Sequence, residues 1–182
     1  MKRKTAKQIL VESFHEIAEK KTIDKITVKD ITDNCGYSSA TFYRQFKDKY
    51  DLIAWDYTRK VEDIMNKIGI NGYKWSQTLI EGAEYFYSKR DYLKNLFLHT
   101  SGFDSFAFNM VEINYNYLKK RVEHNAQSKS LNEMTEMYIL LYCVGTVRLT
   151  REWIMGKYNA SKEELAQVFE NSLPQPLYEY LY

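Results

Sequence analysis

Two prolines and seven glycines in 182 residues give the chain few places to break or reverse. A turn-rich sheet protein is disfavoured on that ground, and long helices are favoured. Cysteine is equally scarce. Cys35 and Cys143 lie far apart with no paired spacing, which argues against a disulfide framework and fits a reducing cytoplasm. Long hydrophobic runs are missing too. The most apolar stretch, residues 137–147, is far shorter than the ~20 residues of a membrane span, so no membrane partner is expected. The start, MKRKTAKQILVESFHE, is basic, but its apolar residues are spaced rather than continuous, and no secretory signal is expected. His15, His99 and His124 occur singly, and no histidine, cysteine and carboxylate cluster has metal-ligand spacing. A Gly-rich phosphate loop and a nucleophile elbow are likewise missing. The expectation is a protein that is not an enzyme and needs no metal or cofactor.

What is present is globular in composition, with 45% hydrophobic and 27% charged residues. The length suffices to bury a real core. Aromatics reach 15% and include 16 tyrosines, an excess that suggests an amphipathic cavity or interface, although ordinary packing accounts for most tyrosines. Charge is unevenly placed. Residues 1–50 hold 11 Lys/Arg against 7 Asp/Glu, and the remainder 15 against 17, so the positive end is the N-terminal one.

Hydrophobic spacing predicts an all-α chain. Residues 5–20 place Ile9, Leu10, Phe14, Ile17 and Ala18 on one helical face. Thr27 and Asp30 form a variant capping box for a second helix, which Gly36 ends. Ser38 or Ser39 caps a third, with Phe42 and Phe46 inward. Asp48 opens a longer helix to about residue 68. Further helices are predicted over about 75–89, 91–100, 103–123 and 134–155. The polar stretch HNAQSKSLNE precedes the most apolar of these, and a box at Ser161–Glu164 opens the last. Pro174 and Pro176 end or kink it.

The segment GYSSATFYRQFKDKY, residues 36–50, concentrates donors on one short stretch. With Phe42 and Phe46 inward, Ser39, Thr41, Tyr43, Arg44 and Gln45 turn outward. Gln can bond adenine twice and Arg guanine, while Ser or Thr serves either; such a helix suits a major groove. Lys47, Lys49 and the Tyr43 hydroxyl would meet phosphates. Plain polar surface over two phenylalanines fits the same residues.

ITVKDITDNCGYSSATFYRQFKDKYDL, residues 26–52, resembles the DNA-binding signature of TetR-family transcription regulators. It shares the capped second helix, the glycine at its end, the T-F-Y of the third helix and the F-x-x-K exit. The resemblance implies a helix-turn-helix head over residues 1–47 (motif about 27–46) and a helical regulatory and dimerisation domain over 48–182. It implies that Ser38, Ser39, Thr41 and Gln45 face the groove, and that Thr27, Tyr43 and Lys49 hold phosphates. Cys35 would fill a small buried site, and Arg44 stands where the family varies. The expected partner is double-stranded operator DNA.

One head reads only a half-site, so two copies must be held about one duplex turn (~34–36 Å) apart. The resemblance implies a homodimer through the last two long helices: Met137, Leu140, Leu141, Val144 and Val147 in one, Leu165, Val168, Phe169 and Leu173 in the other. Closing a monomer core is the alternative use of these stripes. Family members sense a small molecule in this region, for which Tyr85, Phe86, Phe97, Phe103, Phe106, Tyr115 and Tyr142 are the candidate wall. A repressor is expected. VRLTREWIMGK, residues 147–157, resembles the C-terminal helix of TetR-like activators of dihydroxyacetone kinase operons through Thr150–Glu152. That implies the alternative of an activator, or an interaction module, controlled by a protein co-regulator.

Overall fold

The computed structural model describes residues 4–127 and 130–182; residues 1–3 of the basic start and 128–129 of the polar connection lie outside the described residues. Among the described residues the chain forms ten α-helices and no strand. They are α1 Ala6–Ala18, α2 Val28–Cys35, α3 Ser39–Tyr43, α4 Lys49–Met65, α5 Trp75–Ser88, α6 Arg90–His99, α7 Phe106–Asn125, α8 Glu133–Ile154, α9 Lys162–Asn171 and α10 Tyr178–Leu181. Three 3-10 turns, at Ile23–Lys25, Gly102–Asp104 and Gln175–Leu177, join them.

Side-chain caps set most of the starts. Thr5 with Gln8, Thr27 with Asp30 and Ser161 with Glu164 each form a reciprocal box. Asp48 accepts from the amides of Tyr50 and Asp51, both at 2.9 Å, and so begins α4 directly after the head. Gly36 ends α2 at φ +71°, a left-handed conformation that glycine adopts without a Cβ clash.

The structure departs from the sequence expectation at several ends. The helix expected from residue 103 starts at Phe106, because Ser105 caps it and the Thr100 hydroxyl accepts from the Phe106 amide at 2.7 Å. α4 stops at Met65, three residues early, before a turn built on Gly69 and Gly72. Beyond Pro174 the chain forms a 3-10 turn and then α10, and it buries Leu177 and Leu181.

One buried cluster runs from head to body without a break. Leu10, Phe14, Ile31 and Phe42 join Leu93, Phe97, Phe106 and Trp153 in it. A second cluster at the far end gathers Val122, Ile139, Cys143, Leu173 and Leu177. The body is made by α5 on α9, α7 on α8 and α4 on α7.

Candidate nucleic-acid interface and body cavity

In the head, α1 and α2 support a short α3 whose underside is apolar. Phe42 and Phe46 are buried with ring centroids 5.8 Å apart. Ser39, Tyr43, Arg44 and Lys47 are exposed, and Thr41 and Gln45 are half-buried. A polar row runs along the outer side. Ser38 Oγ accepts from the Thr41 amide at 3.2 Å and lies 3.1 Å from Thr41 Oγ1, which accepts from Arg44 Nη2 at 3.1 Å. Arg44 is thereby held in a defined direction before any partner arrives.

Two expected phosphate contacts are already engaged. The Thr27 hydroxyl accepts from the Asp30 amide at 3.1 Å and donates to Asp30 Oδ2 at 2.8 Å. Lys49 is the second: its ammonium donates to the carbonyls of Ile23, Asp24 and Ile26 at 2.8, 3.0 and 2.8 Å. All three of its protons are taken. Burial lowers the Lys49 pKa, with nearby carboxylates opposing. Cys35 is half-buried and donates to Ile31 O at 3.3 Å.

In the body, α4, α5, α7 and α8 surround a cavity of about 120 Å³. Ile64, Leu79, Phe86, Met110, Leu118 and Val147 are among the apolar residues of its wall. Tyr57 donates to Asn114 Oδ1 at 2.9 Å and Tyr142 to Phe169 O at 2.9 Å. Burial raises the pKa of the Tyr57, Tyr85 and Tyr142 hydroxyls and pushes the Cys143 thiol up to about 12, so these groups stay neutral. Lys60 is the charged residue of the lining; its Nζ is 3.7 Å from Glu81 and 5.4 Å from the Tyr85 ring centre. Two buried lining groups, Thr78 Oγ1 and Trp75 Nε1, make no well-formed hydrogen bond, although the Tyr73 and Tyr142 hydroxyls stand beside them. Gly82 sits in the interior of α5 on this wall, and a Cβ there would meet nothing.

Of the seven aromatics expected on such a wall, Tyr85, Phe86 and Tyr142 line the cavity. The other four do not. Phe97 and Phe106 pack on each other in the core at 5.0 Å. Phe103 falls on the 3-10 turn before α7 and is 85% exposed. Tyr115 faces α8 and donates to Glu136 Oε2 at 3.3 Å.

The expected dimer stripe divides in two. Leu140, Leu141, Val144 and Val168 are exposed, whereas Val147, Leu165, Phe169 and Leu173 are buried within the chain's own core. The helical spacing explains this division: Val147 shares its side of α8 with Ile139 and Cys143, not with Leu141. Met137 of the expected stripe is exposed as well, and Met134 extends the set, so 134, 137, 141 and 144 form a heptad-spaced apolar seam. In the Thr150–Glu152 motif, Thr150 is buried, and the Glu152 carboxylate lies 2.6 Å from Arg148, 3.7 Å from Arg151 and 3.4 Å from Lys157.

Three tertiary contacts had no local sequence signal. His15 Nε2 lies 2.8 Å from Asp56 Oδ2. Asn95 bonds the connection between α1 and α2, and Arg90 donates to the carbonyls of Ile154 and Trp153 at 3.1 and 3.0 Å. Among the described residues no group of His, Cys, Asp and Glu is placed to hold a metal ion, and no helix is long and apolar enough to cross a membrane.

A family model for bacterial regulatory proteins of the tetR family matches residues 11–54, and one for a transcriptional regulator C-terminal region matches residues 73–175. Among solved structures, the dihydroxyacetone kinase operon activator DhaS is 18% identical, with a TM-score of 0.66 over 97% of this chain and 98% of its own. A TetR transcriptional regulator from Rhodococcus sp. RHA1 is 11% identical, with a TM-score of 0.67 over 93% of this chain and 97% of its own. No curated protein matches the sequence. With its head and more than half of its length matched in this way, the chain belongs to the TetR family of transcriptional regulators.

Proposed function

We propose that the protein is a homodimeric repressor that grips a palindromic operator with α3 of each head and lets go when the body cavity is filled. The DNA-facing residues are Ser38, Ser39, Thr41, Tyr43, Arg44, Gln45 and Lys47. The preset row of Ser38, Thr41 and Arg44 is the observation that supports this face, because donors fixed in advance lose little freedom on meeting base edges. The seam at Met134, Met137, Leu141 and Val144 supports the dimer, since residues of this kind in a heptad row suit helix packing better than water.

The effector in this reading is small, uncharged and largely apolar. A cavity near ~150 Å³ is known to take a benzene ring, and this one is of that order. Its wall carries no carboxylate, while Thr78 and Trp75 offer a hydroxyl and an indole N–H that make no well-formed bond. Gly82 adds support: glycine in a helix interior costs roughly 0.5–1 kcal/mol against alanine, and nothing nearby requires its small size except the open space itself.

A protein co-regulator, with activation in place of repression, is the second reading. The Thr150–Glu152 motif gives it little support, because Thr150 is buried and Glu152 is closed in by three cations. A mobility-shift titration on the DNA upstream of the protein's own gene tests the DNA reading. Sequence-specific binding that weakens steeply with salt is expected; flat or absent binding beside tight capture of a protein would overturn it.

A further inference from the structure

The backbone of the connection between α1 and α2 is held by two side chains that lie outside it, and His99 of α6 adds a side-chain contact at 3.4 Å to Asp24. Asn95, in the middle of α6, uses both ends of its amide. Its Oδ1 accepts from the Ile23 amide at 3.1 Å, and its Nδ2 donates to the carbonyls of Ala18 and Lys21, both at 3.0 Å. Lys49, at the start of α4, takes the other side through Ile23, Asp24 and Ile26. Ile23 therefore gives its N–H to α6 and its carbonyl to α4, and its side chain is fully buried.

The same helix is anchored at its other end. Arg90, the first residue of α6, donates to the carbonyls of Trp153 and Ile154 at the end of α8. α8 carries the exposed apolar seam. A single short helix thus runs from the end of the seam helix to the joint that carries α2 and α3. Only an asparagine-like group serves at its head end: the joint presents one N–H and two carbonyls, so a carboxylate would lose both donations and an aliphatic side chain all three bonds.

We propose that Asn95 is a positioning residue that fixes the pose of the head on the body, so that the separation of the two recognition helices, and with it the tolerated half-site spacing, is set through this amide. The proposal rests on the reading of the protein as a DNA-binding dimer. Loosening the amide leaves α3 and its donors untouched. The half-site read by each head stays the same, and discrimination between spacings falls.

The test uses the full-length protein and duplexes selected from a random pool by the wild type. The selected site is then remade with its centre lengthened or shortened by one and two base pairs. Wild type is expected to prefer its own spacing by roughly tenfold or more, as for a mismatched site. Asn95→Ala is expected to bring that preference below about threefold, with the half-site unchanged, and Asn95→Asp, which keeps the bond to Ile23, to fall between them. Amide exchange at Ile23 should quicken in Asn95→Ala. An Ala variant that melts cooperatively yet keeps the wild-type preference, or that weakens on all spacings alike, overturns the inference alone. Failure of both variants to fold also overturns it, since Asn95 would then hold the fold and not the pose. A wild type that selects no duplex removes the DNA-binding reading together with this one.

Discussion

Asp30 serves two neighbours at the start of α2. Its carboxylate takes the Lys21 ammonium at 2.7 Å and the Thr27 amide and hydroxyl at 2.8 Å each. The Lys21 bond, with the two Thr27 bonds after it, depresses the Asp30 pKa to about 2. A carboxyl group held below its ordinary value near 3.8 stabilises the fold above that value, and the contribution disappears as pH falls toward 2. Urea midpoints of wild type and Asp30→Asn should therefore differ at neutral pH and converge over that acid window. Because the site is largely solvated, the difference is set mainly by the cap, about 1 kcal/mol. A gap that persists unchanged to pH 2 would show that the ionised carboxylate has no part in it.

The residues proposed to face DNA separate at the same scale. Lys47 is exposed and has no side-chain bond that fixes it, whereas Arg44 is steered by Thr41. In the proposed complex, Lys47→Ala should weaken all duplexes about equally and lower the salt slope by ~1. Arg44→Ala should cost about 1–3 kcal/mol on the best site and relax the preference at one base position. Equal effects of the two variants on salt slope and base preference would remove Arg44 from the groove.

Between helices, the division of the α8 and α9 stripes makes a sharper comparison. Leu141 is 69% exposed and Leu165 is 2% exposed, yet the two look alike in a periodic sequence. Leu141→Asp should turn the proposed dimer into a folded monomer in sedimentation runs. Leu165→Ala should leave the association state alone and lower stability by about 2–5 kcal/mol through an internal cavity. A dimer unaffected by Leu141→Asp would place the interface elsewhere.

This split also shows what the sequence could and could not convey. Caps are local, so Thr27 with Asp30, Asp48, and Ser161 with Glu164 could be read in advance and set helix starts within a residue. The apolar period marks a helix as amphipathic but not which apolar residues meet their own chain and which meet another, so by spacing alone Val147, Leu165, Phe169 and Leu173 look like Leu141. Phe103 falls outside α7 because Ser105 and Thr100 restart the helix beyond it. Asn95 and Arg90 act across more than sixty residues of sequence on backbone groups, and no spacing rule points to them. The expectation that Lys49 meets phosphate takes no account of the carbonyls of Ile23, Asp24 and Ile26, which lie on the far side of α2 in sequence.

At the scale of the whole molecule, the proposed function makes the cavity a link between stability and response. A buried hydroxyl without a well-formed bond, as at Thr78, costs about 1–3 kcal/mol. Thr78→Val keeps the shape and removes that cost. For a chain of this length each kcal/mol recovered raises Tm by about 2–4 °C. Gly82→Ala acts in the same direction, by roughly 0.5–1 kcal/mol, and narrows the space by one methyl. Both variants are thus expected to melt higher than wild type while binding the operator at least as well, since neither touches α3. Their response to an effector should fall, because the group that would meet it is gone or the room is reduced. Thermal shifts against a panel of small uncharged aromatics provide the readout: compounds that raise the wild-type Tm should raise that of Thr78→Val less. If instead Thr78→Val melts lower than wild type, its hydroxyl is bonded to Tyr73 after all, and the cavity's claim to an unmet polar group passes to Trp75 alone.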